Sequence, residues 1–147
     1  MKSLLTSLLC CALAAPGMAE EWYLCAANEN VVGLIETSQI ERNNGFAATW
    51  LLFINKPGTA NHDYEIMRLE FDCGHNKVRI TDSIEYLKDK PTNARRSSTP
   101  WRHIAPGTMA SSNKALACDG VAPEGELITD TVQEMVADFQ KLLRLGI

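Results

Sequence analysis

Residues 67–81 read MRLEFDCGHNKVRIT, and they decide the fold. Met67, Leu69, Phe71 and Cys73 alternate with Arg68, Glu70 and Asp72. That is the period of two in which successive side chains point to opposite sides of a strand. One side is apolar and ends in a sulfur; the other is charged. Gly74-His75-Asn76 turns the chain. A second alternation follows in the run Lys77 to Tyr86, with Val78 and Ile80 set against Lys77, Arg79 and Thr81. The two runs read as an antiparallel hairpin with Cys73 on its core side.

Upstream of the hairpin lie three more strand-like runs. Phe46 to Asn55 follows the turn signal Asn43-Asn44-Gly45 and stops at Lys56-Pro57-Gly58. Asn and Gly mark such turns because they tolerate positive φ. Val31 to Thr37 and the alternating Trp22 to Ala27 precede it. Downstream, short pieces at Trp101 to Ile104 and Lys114 to Cys118 complete a sheet of about six strands.

Character changes after Pro123. Ile128, Val132, Met135, Val136, Phe139, Leu142 and Leu143 recur at steps of three and four, the stripe of an amphipathic helix. Glu124, Glu126 and Asp130 crowd its start and Lys141 and Arg144 its end, as the helix dipole prefers. The spacing predicts a helix from about residue 126 to 145, lying on the apolar face of the sheet. Strands first and helix last is an α+β plan, not an alternating parallel one.

The amino terminus has the three zones of an export signal. Lys2 precedes an apolar run from Leu4 to Ala15, and Gly17-Met18-Ala19 supplies small residues for cleavage before Glu20. The run is far shorter than the ~20 residues that span a bilayer, and no other stretch is apolar enough to do so. Neither Cys10, after Ser7 and Leu9, nor Cys11, after Leu8 and Cys10, fits a lipidation site. The expectation is a cleaved signal peptide at 1–19, one domain at 20–147, and an unlipidated protein in the periplasm or secreted. Cleavage leaves 128 of the 147 residues and, because Lys2 is the only charged residue lost, moves the net charge from −4 to −5.

That acidic balance argues against general nucleic-acid binding, which needs excess cations against phosphate. The exported chain keeps Cys25, Cys73 and Cys118. An oxidising compartment favours disulfides, and three cysteines allow one bridge with one left over. We pair Cys73 with Cys118; Cys25 is then either a small buried apolar residue or a thiol open to intermolecular pairing.

No catalytic constellation is visible. His62, His75 and His103 lack metal-binding spacing, there is no Gly-x-Ser-x-Gly elbow, and the surroundings of Cys25 are apolar. No cofactor or metal is expected. Trp22, Trp50 and Trp101 read as packing residues. The segment Lys88 to His103 stands out instead. Lys88, Lys90, Arg95, Arg96 and Arg102 face a single acid, Asp89, in a protein of negative net charge. Such a local excess attracts anionic partners, and Arg makes bidentate contacts with carboxylate or phosphate.

Several segments together carry a resemblance. They are Ile35-Glu36-Thr37-Ser38-Gln39-Ile40, the strand around Trp50, Glu70-Phe71-Asp72-Cys73 with Arg79 downstream, Trp101-x-x-Ile104-x-Pro106-Gly107-Thr108, and Cys118. In order and spacing, from about Glu21 to Gly120, they resemble the surface-adhesin protein E-like domain of bacterial exported proteins. The resemblance implies a small antiparallel sheet, a C-terminal helix held on it by a disulfide, and a tendency to form homodimers. It also implies recognition of host matrix protein, as an adhesin does.

The functional expectation is an exported, non-enzymatic envelope protein that recognises a host matrix protein or an anionic envelope polymer through the basic segment. The alternatives are a small periplasmic hydrolase or metal-dependent enzyme using His62, His75 and nearby Asp residues, and a structural dimer module.

Overall fold

The structure is a computed structural model and describes residues 20–146; the expected signal peptide, residues 1–19, lies outside them. In chain order its elements are β1 (Trp22–Ala27), β2 (Val31–Glu36), β3 (Glu41–Asn43), β4 (Phe46–Asn55), β5 (Tyr64–Asp72), β6 (Lys77–Leu87), β7 (Lys90–Arg95), β8 (Arg102–His103), α1 (Met109–Asp119), β9 (Leu127–Ile128) and α2 (Val132–Leu145). The nine strands form one sheet in the order β7-β6-β5-β4-β2-β1-β9. β3 lies beside the start of β4, and β8 beside the start of β6. Every pairing is antiparallel.

The hairpin of residues 67–81 is the β5–β6 pair, with Phe71 opposite Val78 and Leu69 opposite Ile80. A bulge interrupts the register between Arg68 and Leu69. The sheet is apolar on both faces at its centre, and two rows of paired residues show why. Leu34, Leu52, Ile66 and Ile84 are opposite one another across β2, β4, β5 and β6; so are Ile35, Leu51, Met67 and Ser83. Neighbours along a strand point to opposite faces, so the two rows need two covers.

Each helix supplies one. Leu116 and Ala117 of α1 join Ile35, Ala47, Leu51, Met67, Leu69, Phe71 and Ile104 in one core cluster. Met135, Val136 and Leu143 of α2 join Trp22, Val32, Leu34, Leu52, Ile54 and Tyr64 in the other. The Thr131 hydroxyl accepts from the Glu134 amide, and the Glu134 carboxylate accepts from the Thr131 amide, so two orphan amide donors at the start of α2 are satisfied.

The expected α+β plan, the antiparallel sheet, the C-terminal helix and the Cys73–Cys118 disulfide are all present. Four details differ. The sheet has nine strands rather than about six, because β3, β7 and β9 are short or polar. Lys114 to Cys118 is helix, not strand: the Thr108 hydroxyl accepts from the Ser111 amide at one end, and Gly120, at φ 71°, closes the other. Residues 127–128 pair with β1, so α2 begins at Val132. The disulfide, spanning 5.8 Å between Cα atoms, clamps the end of α1 to the end of β5; α2 lies on the other face.

α1 carries no basic residue in its last turn. Arg42 reaches across from β3 instead, donating from Nε to the Ala117 carbonyl at 2.7 Å and from its terminal nitrogen to the Leu116 carbonyl at 3.2 Å. A cation therefore meets the negative end of the helix dipole without belonging to the helix.

Candidate ligand-contact surface

The basic segment is mostly edge strand rather than loop. Lys88 and Asp89 form a two-residue turn between β6 and β7, both at positive φ, 51° and 58°. Such turns match the twist of the strands they join, and Asn-Gly is their usual sequence. Lys-Asp hides the signal; here the Lys88 amide donates to the Asp63 carboxylate at 2.7 Å and holds the turn.

All six residues of β7 are exposed, and β7 is the outermost strand on its side. Lys90 lies opposite Leu87, Arg95 opposite Ser83 and Arg102 opposite Val78. Following the alternation along β6, with its one-residue shift at the bulge between Ile80 and Asp82, places all three cations on the α1 face of this edge. Val78 to Leu87 is roughly 30 Å of strand, so the three form a row of about that length. Arg96 continues the chain beyond β7, exposed. Among the described residues none of the five cations has a carboxylate within 4.0 Å. Pro91 lacks an amide proton, and charge at Lys90 resists pairing with a further strand, so side chains rather than backbone are on offer here.

The return from β7 to β8 is tied down at Thr99. Its amide donates to the Ile80 carbonyl, and its hydroxyl accepts from the Ile80 amide. No pattern in the sequence marks this residue. Beyond it, Arg79 is held between Glu70, at 2.8 Å from Nε, and the ring of Trp101, 4.4 Å from the guanidinium carbon. Trp101 also lies 6.0 Å from Phe46. The Ile104 amide and carbonyl bond to the Asn76 carbonyl and side chain. Glu70, Arg79, Trp101 and Ile104 thus fix β8, and with it the position of Arg102.

His62 and His75 do not converge. His62 precedes β5 and His75 follows it, so roughly 30 Å of strand separates them. His75 lies 2.9 Å from the Asp72 carboxylate, and His62 lies 4.0 Å from that of Glu85. Desolvation raises the Asp72 pKa, but the His75 amide, its ring and the Lys77 charge outweigh it and hold the group below its ordinary value. Among the described residues no three His, Cys, Asp or Glu side chains could share a metal ion. No described helix is long and apolar enough to cross a membrane.

Of the tryptophans, Trp22 is buried, Trp50 packs half-buried on the α2-side core, and Trp101 stacks on Arg79. Cys25 is a half-buried free cysteine whose thiol burial pushes up to about 11, against a smaller opposing effect of Asn113. A cleft of about 520 Å³ lies between the start of α2 and the sheet, lined by Tyr64, Ile66, Tyr86, Glu20 and Asp130.

The family model described as surface-adhesin protein E matches residues 22–119 of the chain, from β1 to the end of α1. No curated protein and no solved structure matches the chain.

Proposed function

The chain belongs to the surface-adhesin protein E family, and from that membership we propose that it is an exported, non-enzymatic recognition protein whose contact surface is the cationic edge of β7 and β8. Its ligand is an anionic envelope polymer or an acidic patch on a host matrix protein. Export follows cleavage of residues 1–19 without lipid attachment, leaving the protein periplasmic or secreted.

One observation carries the reading: Lys90, Arg95 and Arg102 stand in a row on an exposed edge, without acidic partners among the described residues. A cation already paired gives up that pairing to bind a ligand, whereas these give up only water. A row of about 30 Å suits an extended polyanion better than a compact one. Two of the three are Arg, whose planar fork grips carboxylate or sulfate with two parallel hydrogen bonds.

The test is binding to a sulfated polysaccharide over a range of ionic strength. Replacing Arg95, Arg96 and Arg102 together by Ala should weaken binding at least tenfold, about 1.4 kcal/mol, and flatten its salt dependence. All three are exposed, so the melting temperature should hold. Unchanged affinity in a folded triple variant removes this edge from the function.

A further inference from the structure

A second recognition surface lies on the α2 face of the sheet, between α2 and β9. Ile128 of β9 is opposite Trp22 and packs half-buried against the α2-side core. Across from it, Met135, Asp138, Phe139 and Leu142 stand three and four residues apart on α2, so they form one stripe along the helix. Strand and stripe wall a groove of about 350 Å³. Its floor is apolar: Met135 is 1% exposed, Ile128 and Phe139 are half-buried, and Leu142 is 40% exposed.

The rim of the groove is acidic. Glu126 and Asp130 flank Ile128 on one wall, Asp138 interrupts the apolar stripe on the other, and all three are exposed. No Lys or Arg lines the groove. From Asp119 to Asp138 the chain has six acids and no Lys or Arg. Among the described residues none of the three rim carboxylates has a cation within 4.0 Å. Nor, among those residues, could any three His, Cys, Asp or Glu side chains share a metal ion, so the rim carboxylates stand too far apart for one ion.

We propose that this groove docks a cationic amphipathic segment of a protein partner. Its aliphatic side chains enter between β9 and α2, and its Lys or Arg side chains meet Glu126, Asp130 and Asp138 on the rim. Charge complementarity selects this occupant. Separated carboxylates call for separated positive charges on one chain, and the apolar floor calls for aliphatic side chains between them, as when an amphipathic segment lies in a groove. The same rim repels an anionic lipid surface. β9 and α2 lie beyond the residues that the family model matches, so the groove is an addition to the shared sheet. The cationic row of β7 and β8 is on the other face, and either surface can fail without the other.

The experiment is a calorimetric and nuclear magnetic resonance titration of the exported protein with a short capped peptide of leucine and lysine in amphipathic helical order. The control peptide keeps every lysine and has serine in place of leucine. The first peptide should bind saturably, shift the side-chain signals of Ile128, Met135, Phe139 and Leu142, and lose affinity as salt is added. The control should bind at least tenfold more weakly. Replacing Glu126 and Asp138 together by Lys should weaken binding of the first peptide at least tenfold. Leu142→Ser should weaken it comparably and serves if the charge variant misfolds. All three positions are exposed, so the melting temperature should hold. The variant with Ala at Arg95, Arg96 and Arg102 should bind the peptide as before, which separates this groove from the cationic edge. Equal binding of the two peptides, shifts confined to other residues, or unaltered binding by a folded groove variant would overturn the proposal.

Discussion

The burial of Glu36 and of the Tyr64 hydroxyl is explained by their immediate partners. Glu36 is 2% exposed, yet its carboxylate accepts from the Ser38 and Gln39 amides, each at 2.9 Å, and from the Ser38 hydroxyl. Those bonds close the β2–β3 turn, so the stretch Ile35 to Ile40 is legible in the sequence as a unit although the burial of its acid is not. Tyr64 is 1% exposed, stacked on Tyr86 at 4.7 Å, with its hydroxyl donating to Asp89 at 3.3 Å. Burial first, then the charge and hydrogen bond of Asp89, push its pKa from 10.0 to about 12. The fold favours the neutral phenol, so its contribution is complete below the unfolded value and lost as pH rises through the folded one. Ultraviolet titration should therefore show one tyrosinate forming late, near pH 12, together with alkaline loss of structure. Tyr64→Phe should abolish that late step and cost about 0.5–1.5 kcal/mol at neutral pH, from the lost hydrogen bond. A late step that survives in the variant assigns it to another residue.

The legibility of each element depended on how its neighbours used it. β5 was plain because its polar face is partly solvated and its alternation therefore sharp. β7 was hidden because an exposed edge strand buries nothing, and Pro91 argued against a strand at all. α2 announced itself through its stripe, but Ile128 fits the stripe as well as it fits β9, which moved the expected start too early. α1 misled most. Ser111, Ser112 and Asn113 are weak helix formers, and Ala115 and Ala117 mimic a strand alternation. Such a helix depends on tertiary anchors, here the Arg42 side chain and the Cys73–Cys118 bridge. A bridge across 45 residues is worth roughly 4 kcal/mol in the chain-entropy model. Changing Cys73 and Cys118 together to Ala should lower unfolding free energy by about 2–4 kcal/mol in denaturant titrations. It should also speed alkylation of Cys25, which packs against the cluster that α1 covers. Loss of stability with no change in Cys25 reactivity would mean that α1 stays seated without its clamp.

At the scale of the whole molecule, the central sheet is buried on two faces by two helices of different standing. The family match spans 22–119, which includes the sheet from β1 to β8 and its clamped cover, α1. The opposite cover, α2, and the short β9 lie beyond it. What covers each face was not legible, because a strand such as β4, FAATWLLFIN, is apolar at nearly every position and says that both faces are covered but not by what. Without α2, Trp22, Leu34, Leu52 and Ile54 would face water, since they share a cluster with Met135, Val136 and Leu143. Full burial of an aliphatic side chain is worth about 1.5–3 kcal/mol. The three helix residues alone then contribute roughly 5–9 kcal/mol before entropy, comparable with the 5–15 kcal/mol that holds a typical domain together. A chain ending after Asp119 should therefore still form its disulfide, because both sulfurs and α1 remain. It should nevertheless bind an apolar dye, self-associate, and lose its cooperative thermal transition. A sharp transition at the temperature of the full protein would show that the sheet and α1 are sufficient, and that α2 covers a face already stable without it.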